Sequence, residues 1–179
     1  MYFTGDRIRL RKMTQEDAPI YHQWRNDLAV MQFTNPSLDV YAASDTKNFV
    51  EHMTQSSTSR TYIIEEKHAD KPIGVTSLIN LDHKNQNAEC IIDIGEKEYW
   101  SQGYGKEAFQ LLLDYAFGEM NLHRLYLKVF SFNERAIRLY EKLGFEIEGA
   151  LKEALYHNHA WHDIVIMGLL KSRYKRLDT

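Results

Sequence analysis

The N-terminal third of the chain carries one strand-like and two helix-like patterns. Apolar and basic side chains alternate over residues 8–13, which is typical of a strand with one buried face. Thr14 has the side chain of a helix N-cap and acidic residues follow it, so we expect a helix from there to about residue 26. A second helix is predicted over about residues 45–54. The loop between the two helices is long, and long ordered loops are often functional.

Three apolar, β-branched runs follow over residues 60–66, 72–81 and 88–95. The polar segments 67–71 and 82–87 separate them, and both have the composition of turns. Connections this short leave no room for crossover helices, so neighbouring runs are expected to pair in antiparallel fashion. We therefore predict a three-stranded antiparallel meander in the middle of the chain.

Helices alternate with strands in the remainder of the chain. Apolar residues recur at helical spacing, which predicts an amphipathic helix through Ala108, Leu111, Leu112, Tyr115 and Ala116. The patterns that follow predict a strand, a helix that ends at a glycine, and two closing strands. These elements cover Arg124–Phe130, residues 134–143 with Gly144, residues 145–157 and residues 160–170.

The order β-α-α-β-β-β-α-β-α-β-β defines the expected fold class. It predicts an α+β protein with a mixed, mostly antiparallel central sheet of about seven strands, flanked by about four helices. No change of composition marks a linker, so we expect one domain over residues 1–179.

Composition and charge narrow the function classes. The 179 residues are 44% hydrophobic and 26% charged, which is ordinary for a globular protein. The net charge of −3 offers no basic field for nucleic acid and mildly favours a cationic substrate. No apolar run reaches transmembrane length and Met1 begins no signal pattern. We therefore expect a cytoplasmic protein with no nucleic-acid and no membrane partner.

Two groups of reactive side chains are assigned ordinary roles. Cys90 is the single cysteine and lies within a predicted apolar strand, where a thiol is typically inert core. His157, His159 and His162 straddle the predicted turn between the closing strands, without a partnering cysteine or carboxylate motif. We therefore expect no metal site.

The segment WSQGYGKEA, residues 100–108, places two glycines just ahead of a predicted helix. A dinucleotide-binding turn has similar spacing, but it needs a strand directly before the glycines and an acid ending the next strand. A Walker loop needs Ser or Thr after its lysine, whereas Glu107 follows Lys106. A glycine-loosened helix start is the plainest alternative. Two such glycines also let backbone N–H groups approach a pyrophosphate, and this cradle would comprise Ser101, Gln102, Gly103, Tyr104, Gly105 and Lys106.

A second segment, NERAIRLYEKLGF, begins at Asn133. Taken alone, Asn133 is interpreted as a helix N-cap because it follows a strand and precedes a helix. Taken alone, Tyr140 is interpreted as a core aromatic because it shares an apolar helical stripe with Ala136. Considered together, the two segments favour a functional interpretation over these two structural ones.

WSQGYGKEAFQLLLDYAF followed by VFSFNERAIRLYEKLGFEIEG resembles the acetyl-CoA-binding core of the GNAT N-acetyltransferase superfamily. The predicted order of elements agrees over nearly the whole chain. Within the superfamily, NLHRLYLKV and the ending W-x-D-I-V-I-M are most similar to spermidine N-acetyltransferases and ribosomal-protein N-terminal acetyltransferases. One departure is Trp100, which stands where the family's phosphate loop commonly has Gln or Arg.

The resemblance implies acetyl-CoA as co-substrate and assigns residues to its binding. The glycine segment corresponds to the family's phosphate loop. The pantetheine arm pairs with the fourth strand where it splays from its neighbour, which maps to Ile92, Asp93 and Ile94, and an N–H there polarises the thioester carbonyl. On the later helix the resemblance places three further residues at the cofactor, namely Asn133, Ala136 and Lys142.

Direct attack by the amine in a ternary complex is also implied by the resemblance. Tyr140 matches the family's general acid, since a phenol with a pKa of about 10 protonates a thiolate whose conjugate acid has a pKa of about 8.5. The attacking ammonium must first lose a proton. Glu89, on the same strand face as Asp93, is the predicted base, acting directly or through water. Its alternative interpretation is a strand-edge carboxylate in a surface pair.

The acceptor is expected to be a primary amine, with a polyamine such as spermidine as the first expectation. Asp27, Asp39 and Glu51 lie in the N-terminal helical region where the family builds its acceptor site, and are predicted to bind a polycation. Each also fits a helix cap or a surface charge. A protein N-terminus, a small-molecule amine and a non-catalytic acyl-CoA-binding module are the alternatives. The expected partner is thus a small-molecule amine or an amino-terminal substrate, with a homo-oligomer left open.

Overall fold

Seven strands form one sheet in the computed structural model, which describes residues 3–175; the predicted domain over residues 1–179 extends past them at both ends. All neighbouring pairs are antiparallel except β4 and β5, which are parallel. The predicted α+β class and mixed sheet are confirmed. The strand order is β1-β2-β3-β4-β5-β7-β6, with β1 Ile8–Lys12, β2 Arg60–Glu66, β3 Lys71–Asp82, β4 Asn87–Ile94, β5 Arg124–Phe130, β6 Glu146–His157 and β7 Ala160–Leu170.

Five α-helices accompany the sheet, one more than the sequence pattern predicts. They are α1 Ala18–Arg25, α2 Leu28–Met31, α3 Ala43–Gln55, α4 Tyr104–Gly118 and α5 Glu134–Lys142. The additional helix α2 is a single turn whose start is stabilised because the Asp27 carboxylate accepts a hydrogen bond from the Ala29 N–H at 2.9 Å. Within residues 3–175 no helix is long and apolar enough to cross a membrane.

The start of α3 also differs from the prediction, which placed it at about Asp45. The Asp45 carboxylate accepts a hydrogen bond from the Ala42 N–H at 3.0 Å. Asp45 is therefore the third helical residue of a capping arrangement instead of the first, and the helix begins at Ala43.

Helices pack on both faces of the sheet. The predicted stripe of α4 is confirmed, because Ala108, Leu112 and Ala116 are fully buried in the larger core. A smaller core on the opposite face contains Trp24 of α1 and Val50 of α3. Cys90 is buried in the larger core, and burial raises the pKa of its thiol, which fits the inert role expected from the sequence.

The parallel pair β4 and β5 separates after a short stretch. Asn87, Ala88 and Glu89 of β4 pair with β5, but β4 continues to Ile94 along β3 while β5 continues along β7. At the far end of β4 the backbones of β3 and β4 approach closely, because a Cβ on Gly74 would lie 2.3 Å from the Asp93 carbonyl oxygen. The sheet therefore opens between its two central strands.

Candidate active site

A cavity of about 400 Å³ lies at this opening. Its walls come from β4, from the segment before α4, from α5 and from the loop after α2. The predicted residues that line it are Ile92, Asp93, Ile94, Ser101, Gly103, Gly105, Lys106, Asn133, Ala136, Tyr140 and Lys142. The structure therefore brings together residues that two separate sequence segments and one strand contribute.

Backbone groups of β4 face the opening between the strands. The Gly95 N–H donates to the Ile73 carbonyl of β3, so Asp93, two residues earlier, also directs its backbone groups toward β3. The N–H and C=O groups of Ile92 and Ile94 consequently point to the opposite side, where β5 has diverged. This edge can pair with an extended amide-containing chain as an additional strand does.

The glycine segment forms a tight turn into α4. Gly103 is the N-cap of this helix and has a φ of 87°, and Ser101 has a φ of 60°. A left-handed conformation is unusual for serine and favours glycine, so this loop holds a shape that requires Gly103. The first N–H groups of a helix have no partner within the helix, and together with the helix dipole they form an anion site.

Arg7 fixes this turn from the start of β1. Its guanidinium donates to the Gln102 carbonyl at 2.9 Å and to the Glu107 carboxylate at 3.0 Å, and lies 4.3 Å from the centre of the Tyr104 ring. Gln102 and Tyr104 therefore contact Arg7 and do not line the cavity. The Glu107 charge, which would oppose an anion at the helix start, is paired with Arg7.

Trp100, the departure from the family pattern, connects the phosphate loop to β4. Its indole N–H donates to the Ile94 carbonyl oxygen at 2.8 Å. The guanidinium of Arg135 lies 5.0 Å from the centre of its ring. Trp100 thus links the loop to the edge of β4. The Arg135 guanidinium of α5 lies over the Trp100 ring.

Charges in the cavity are strongly unequal. Asp93 is the only acidic residue among the described residues that line it. Four basic side chains also line it, namely Lys106, Arg135, Arg138 and Lys142. Such a cavity favours a ligand that carries several negative charges, as the phosphates of acetyl-CoA do.

Asn133 has the N-cap role that the sequence predicts. Its side-chain oxygen accepts from the Ala136 N–H at 3.2 Å and so fixes the start of α5 beside the cavity. About two helical turns after Asn133, Tyr140 is 9% exposed and packs on Phe109 and Phe145. Burial raises the pKa of the Tyr140 phenol, and the Asp93 carboxylate and the Cys90 thiol add to the rise.

The side chain of Asp93 is poorly solvated. The residue as a whole is half-buried, but its Oδ1 is sealed from solvent and has no hydrogen-bond partner among the described residues. Burial raises the pKa of this carboxyl to about 6, and the nearby Thr34 hydroxyl opposes part of the rise. The cavity therefore contains a carboxylate that no protein cation neutralises.

Glu89, the predicted base, does not line this cavity. It is 7% exposed, where β4 is still paired with β5. Its Oε2 accepts from Asn80 at 3.0 Å and lies 3.4 Å from the Lys128 Nζ. The contact with Lys128 corresponds to the pair of the alternative interpretation, but the Glu89 carboxylate is buried and does not lie at the surface.

The three carboxylates predicted to bind a polycation also lie outside the cavity. Asp27 caps α2 and forms an ion pair with Lys97 at 2.6 Å. Asp39 is exposed and accepts from the Val40 N–H, and Glu51 is exposed on α3. Their side chains occupy a helix cap, a turn and a helix surface.

Aromatic side chains line a second cavity beside the first, called the aromatic mouth below. Its volume is about 320 Å³, and Phe33, Trp100 and Phe132 are among the residues that line it. His157 and His162 pack on the Phe132 ring, with ring centres 5.2 and 4.8 Å away. In the part of the chain that the structure describes, no three His, Cys, Asp or Glu side chains are grouped as metal ligands.

Several residues of the site are not signalled by the sequence. Val30, Phe33 and Thr34 line the cavity from the long loop region, whose length is the only available indication. Arg7 is distant in sequence from the loop that it fixes. Arg135 and Arg138 of α5 resemble the solvated face of any amphipathic helix.

Comparison with known proteins agrees with this geometry. A family model described as an acetyltransferase (GNAT) domain matches residues 7–146. The chain is 32% identical over 171 residues to an N-acetyltransferase named p20 of Bacillus licheniformis, covering 94% of this chain and 96% of that protein. It is also 32% identical to the spermidine N(1)-acetyltransferase of Escherichia coli K12, covering 93% and 88% of the two chains.

A solved structure shares both the fold and the cofactor expected here. The spermidine N-acetyltransferase of Vibrio cholerae, in complex with CoA and spermine, superposes with a TM-score of 0.88 at 26% identity, covering 95% of this chain and 99% of that one. The family match, the fold and the basic cavity together identify the family of this chain. The chain belongs to the GNAT acetyltransferase family and is an acetyl-CoA-dependent N-acetyltransferase.

Proposed function

We propose that this protein transfers the acetyl group of acetyl-CoA to a primary amine of a polyamine such as spermidine, by direct attack in a ternary complex. The observation that carries this proposal is the single cavity that holds a helix-start anion site, an open strand edge and a buried tyrosine. The named spermidine acetyltransferases among its relatives support the acceptor class. The further expectations of a cytoplasmic location and of a homo-oligomer stay predictions.

The phosphate half of acetyl-CoA is assigned to the start of α4. The N–H groups between Ser101 and Lys106 would bind the pyrophosphate, with Arg7 holding Gln102 and Tyr104 in place behind them. Asn133 and Ala136 at the start of α5, and Lys142 at its end, line the same cavity and would contact the remaining polar groups.

The pantetheine and thioester are assigned to the open edge of β4. Ile92 and Ile94 direct backbone groups toward this edge, and Trp100 already binds the Ile94 carbonyl. The N–H groups of these two isoleucines are therefore the donors available to pantetheine and to a developing oxyanion. Bound acetyl-CoA supplies an activated acyl carbon, and the residues around it position the amine and move protons.

Tyr140 is assigned the general acid. Because burial and nearby negative charge raise the pKa of its phenol, Tyr140 stays protonated at neutral pH. Burial also raises the proton affinity of the departing thiolate, so the Tyr140 proton can pass to sulfur as the C–S bond breaks. The base role predicted for Glu89 stays a prediction, as do the acceptor contacts of Asp27, Asp39 and Glu51.

The aromatic mouth provides a physical reason for a polyamine acceptor. Phe33 and Phe132 lie 6.2 Å apart at the cavity entrance. Aromatic faces contact methylene chains and attract alkylammonium groups. A linear polyamine has both features in alternation, whereas a peptide N-terminus brings a backbone whose amides would need hydrogen-bond partners at the entrance.

An Arg7→Ala substitution is expected to weaken the affinity for acetyl-CoA by about tenfold, measured by calorimetric titration. The reason is that ordering of the loop then opposes binding by roughly 1.4 kcal/mol. Arg9→Ala is the matched control, because Arg9 lies on the same strand but pairs with Glu65 and Asp70. Equal affinities of the two variants would contradict the role assigned to Arg7.

A Tyr140→Phe substitution is expected to lower kcat by about 10² to 10³-fold, while the Kd for acetyl-CoA stays within about twofold. The ring that packs on Phe109 is retained and only the proton donor is lost. Tyr156→Phe, at a tyrosine that is 57% exposed, is the control and should retain full turnover. An unchanged kcat in Tyr140→Phe would remove the assigned role.

The acceptor class is tested by following release of free CoA thiol with a panel of amines. Spermidine and spermine are expected to give higher kcat/KM than a ribosomal-protein N-terminal peptide or an aminoglycoside. A preference for the peptide or the aminoglycoside would replace the polyamine proposal with one of those substrates. Tight acetyl-CoA binding without transfer to any amine would identify a binding module instead.

A further inference from the structure

Asp93 lines the cavity and interacts with residues of α1, of α5 and of the loop after α2. It lies on the sheet face opposite the one that packs against α4, directly across from Val75 of β3. Its charge reaches Tyr21 on α1 and Tyr140 on α5, because it contributes to the raised pKa of both phenols. The Thr34 hydroxyl, in the loop after α2, is near enough to its carboxyl group to lower the pKa of that group in part.

The carboxylate also lacks the partners that a structural carboxylate has. Buried carboxylates elsewhere in this chain are paired, as Asp17 is with Arg11 at 2.6 Å and Glu65 is with Arg11 at 2.5 Å. Oδ1 of Asp93 has no partner among the described residues, and no basic residue forms an ion pair with it. An unpaired buried charge destabilises a folded protein and is found mostly where function requires it.

A cation that enters the cavity would supply the partner that this carboxylate lacks. Asp93 is the only acidic residue among the described residues that line the cavity, so a protonated amine there is attracted to this carboxylate. We propose that Asp93 binds the ammonium group of the acceptor and removes its proton, which makes it the catalytic base. The proposal rests on the function proposed above and assigns to a different residue the base role predicted for Glu89.

The proposed reaction conserves protons and electrons. The acceptor R–NH₃⁺ transfers one proton to the Asp93 carboxylate, and the freed electron pair forms the new C–N bond at the thioester carbon. The C–S bond then breaks, and the sulfur takes the Tyr140 proton. The nitrogen loses its second proton to restore Tyr140, and Asp93 returns its own proton to solvent.

Proton removal by Asp93 has a defined pH signature. Its carboxyl has a pKa of about 6, so it is ionised at neutral pH and can accept a proton. The two phenols near it do not titrate near neutrality, because burial raises the pKa values of Tyr21 and Tyr140, with Arg25 lowering that of Tyr21 only in part. For spermidine we expect kcat/KM to rise with an apparent pKa of about 6 and to level off above pH 7 or so.

An Asp93→Asn substitution tests the assignment. We expect kcat/KM for spermidine at pH 7 to fall by about 100-fold or more. The remaining rate should rise about tenfold per pH unit up to about pH 9, because only the unprotonated amine then reacts. The Kd for acetyl-CoA should stay within about twofold. Asp70→Asn, at an exposed turn position with a φ of 50°, is the matched control and should keep the wild-type profile.

A second readout does not depend on activity. Since the native pKa of about 6 lies above the ordinary value of 3.8, the folded state binds the proton more tightly and loses stability as pH rises between these values. Asparagine carries no such charge, so Asp93→Asn should melt at a higher temperature than the wild type at pH 8. A lower melting temperature would show that Asp93 is structural and would overturn the proposal.

A fluorinated spermidine analogue whose terminal amine is unprotonated at pH 7 separates the remaining outcomes. Asp93→Asn should acetylate it nearly as fast as the wild type, because no base is needed. Loss of this reaction as well would overturn the base role. The base role would also be overturned if kcat/KM of Asp93→Asn levelled off above about pH 7 as it does in the wild type. The same holds if this plateau were lost in Glu89→Gln but not in Asp93→Asn. If the wild type prefers another amine, the proposed acceptor fails, and the same variants are compared with that amine.

Discussion

The divergence of β4 from β5 is the constraint on which the rest of the site depends. A parallel pair that stayed bonded along its length would satisfy the backbone groups of Ile92 and Ile94 within the sheet. Because β4 follows β3 and β5 follows β7, these groups face a cavity instead. The glycine turn, α5 and the loop after α2 then line one cavity at the open strand edge.

The surrounding contacts mainly fix the position of the phosphate loop relative to that strand edge. Trp100 joins the loop to the Ile94 carbonyl, and Arg7 joins it to the first strand. Gly103 allows the left-handed turn that directs the helix start at the cavity. Each contact orders the backbone before a ligand arrives, so that less conformational entropy is lost on binding.

The charges that line the cavity are unequal. Basic side chains line it from the start of α4 and along α5, and a single carboxylate lines it from β4. The carboxylate is less stable there than in water, as the raised pKa of Asp93 shows. A carboxylate with a raised pKa holds a proton more tightly than one with the ordinary pKa, which suits a proton acceptor near neutral pH.

The elements of the fold could be predicted because each has its own periodicity. Turn composition and strand alternation located the meander, and the stripe through Leu112 located α4. The short helix α2 was missed because a single turn has no period. Asp27, which the sequence fits as an acceptor ligand or as a helix cap, caps this turn and forms an ion pair with Lys97.

The site was predictable only where its chemistry is local in sequence. The glycine turn, Asn133 and Tyr140 follow from short segments, and all of them reach one cavity. Arg7 and Thr34 act through contacts between distant segments, which no spacing reveals. Asp93 was predicted to contact the cofactor through its backbone. Its backbone groups point toward β3 instead, so the role proposed for this residue falls to its side chain.

Amide hydrogen exchange with and without CoA is the most direct measurement of the central claim, that the open β4 edge and the α4 start together hold the cofactor. CoA is expected to slow amide hydrogen exchange at Ile92, at Ile94 and at residues 103–106, because their N–H groups face the cavity. Unchanged exchange at these amides, with protection appearing at another surface, would contradict it.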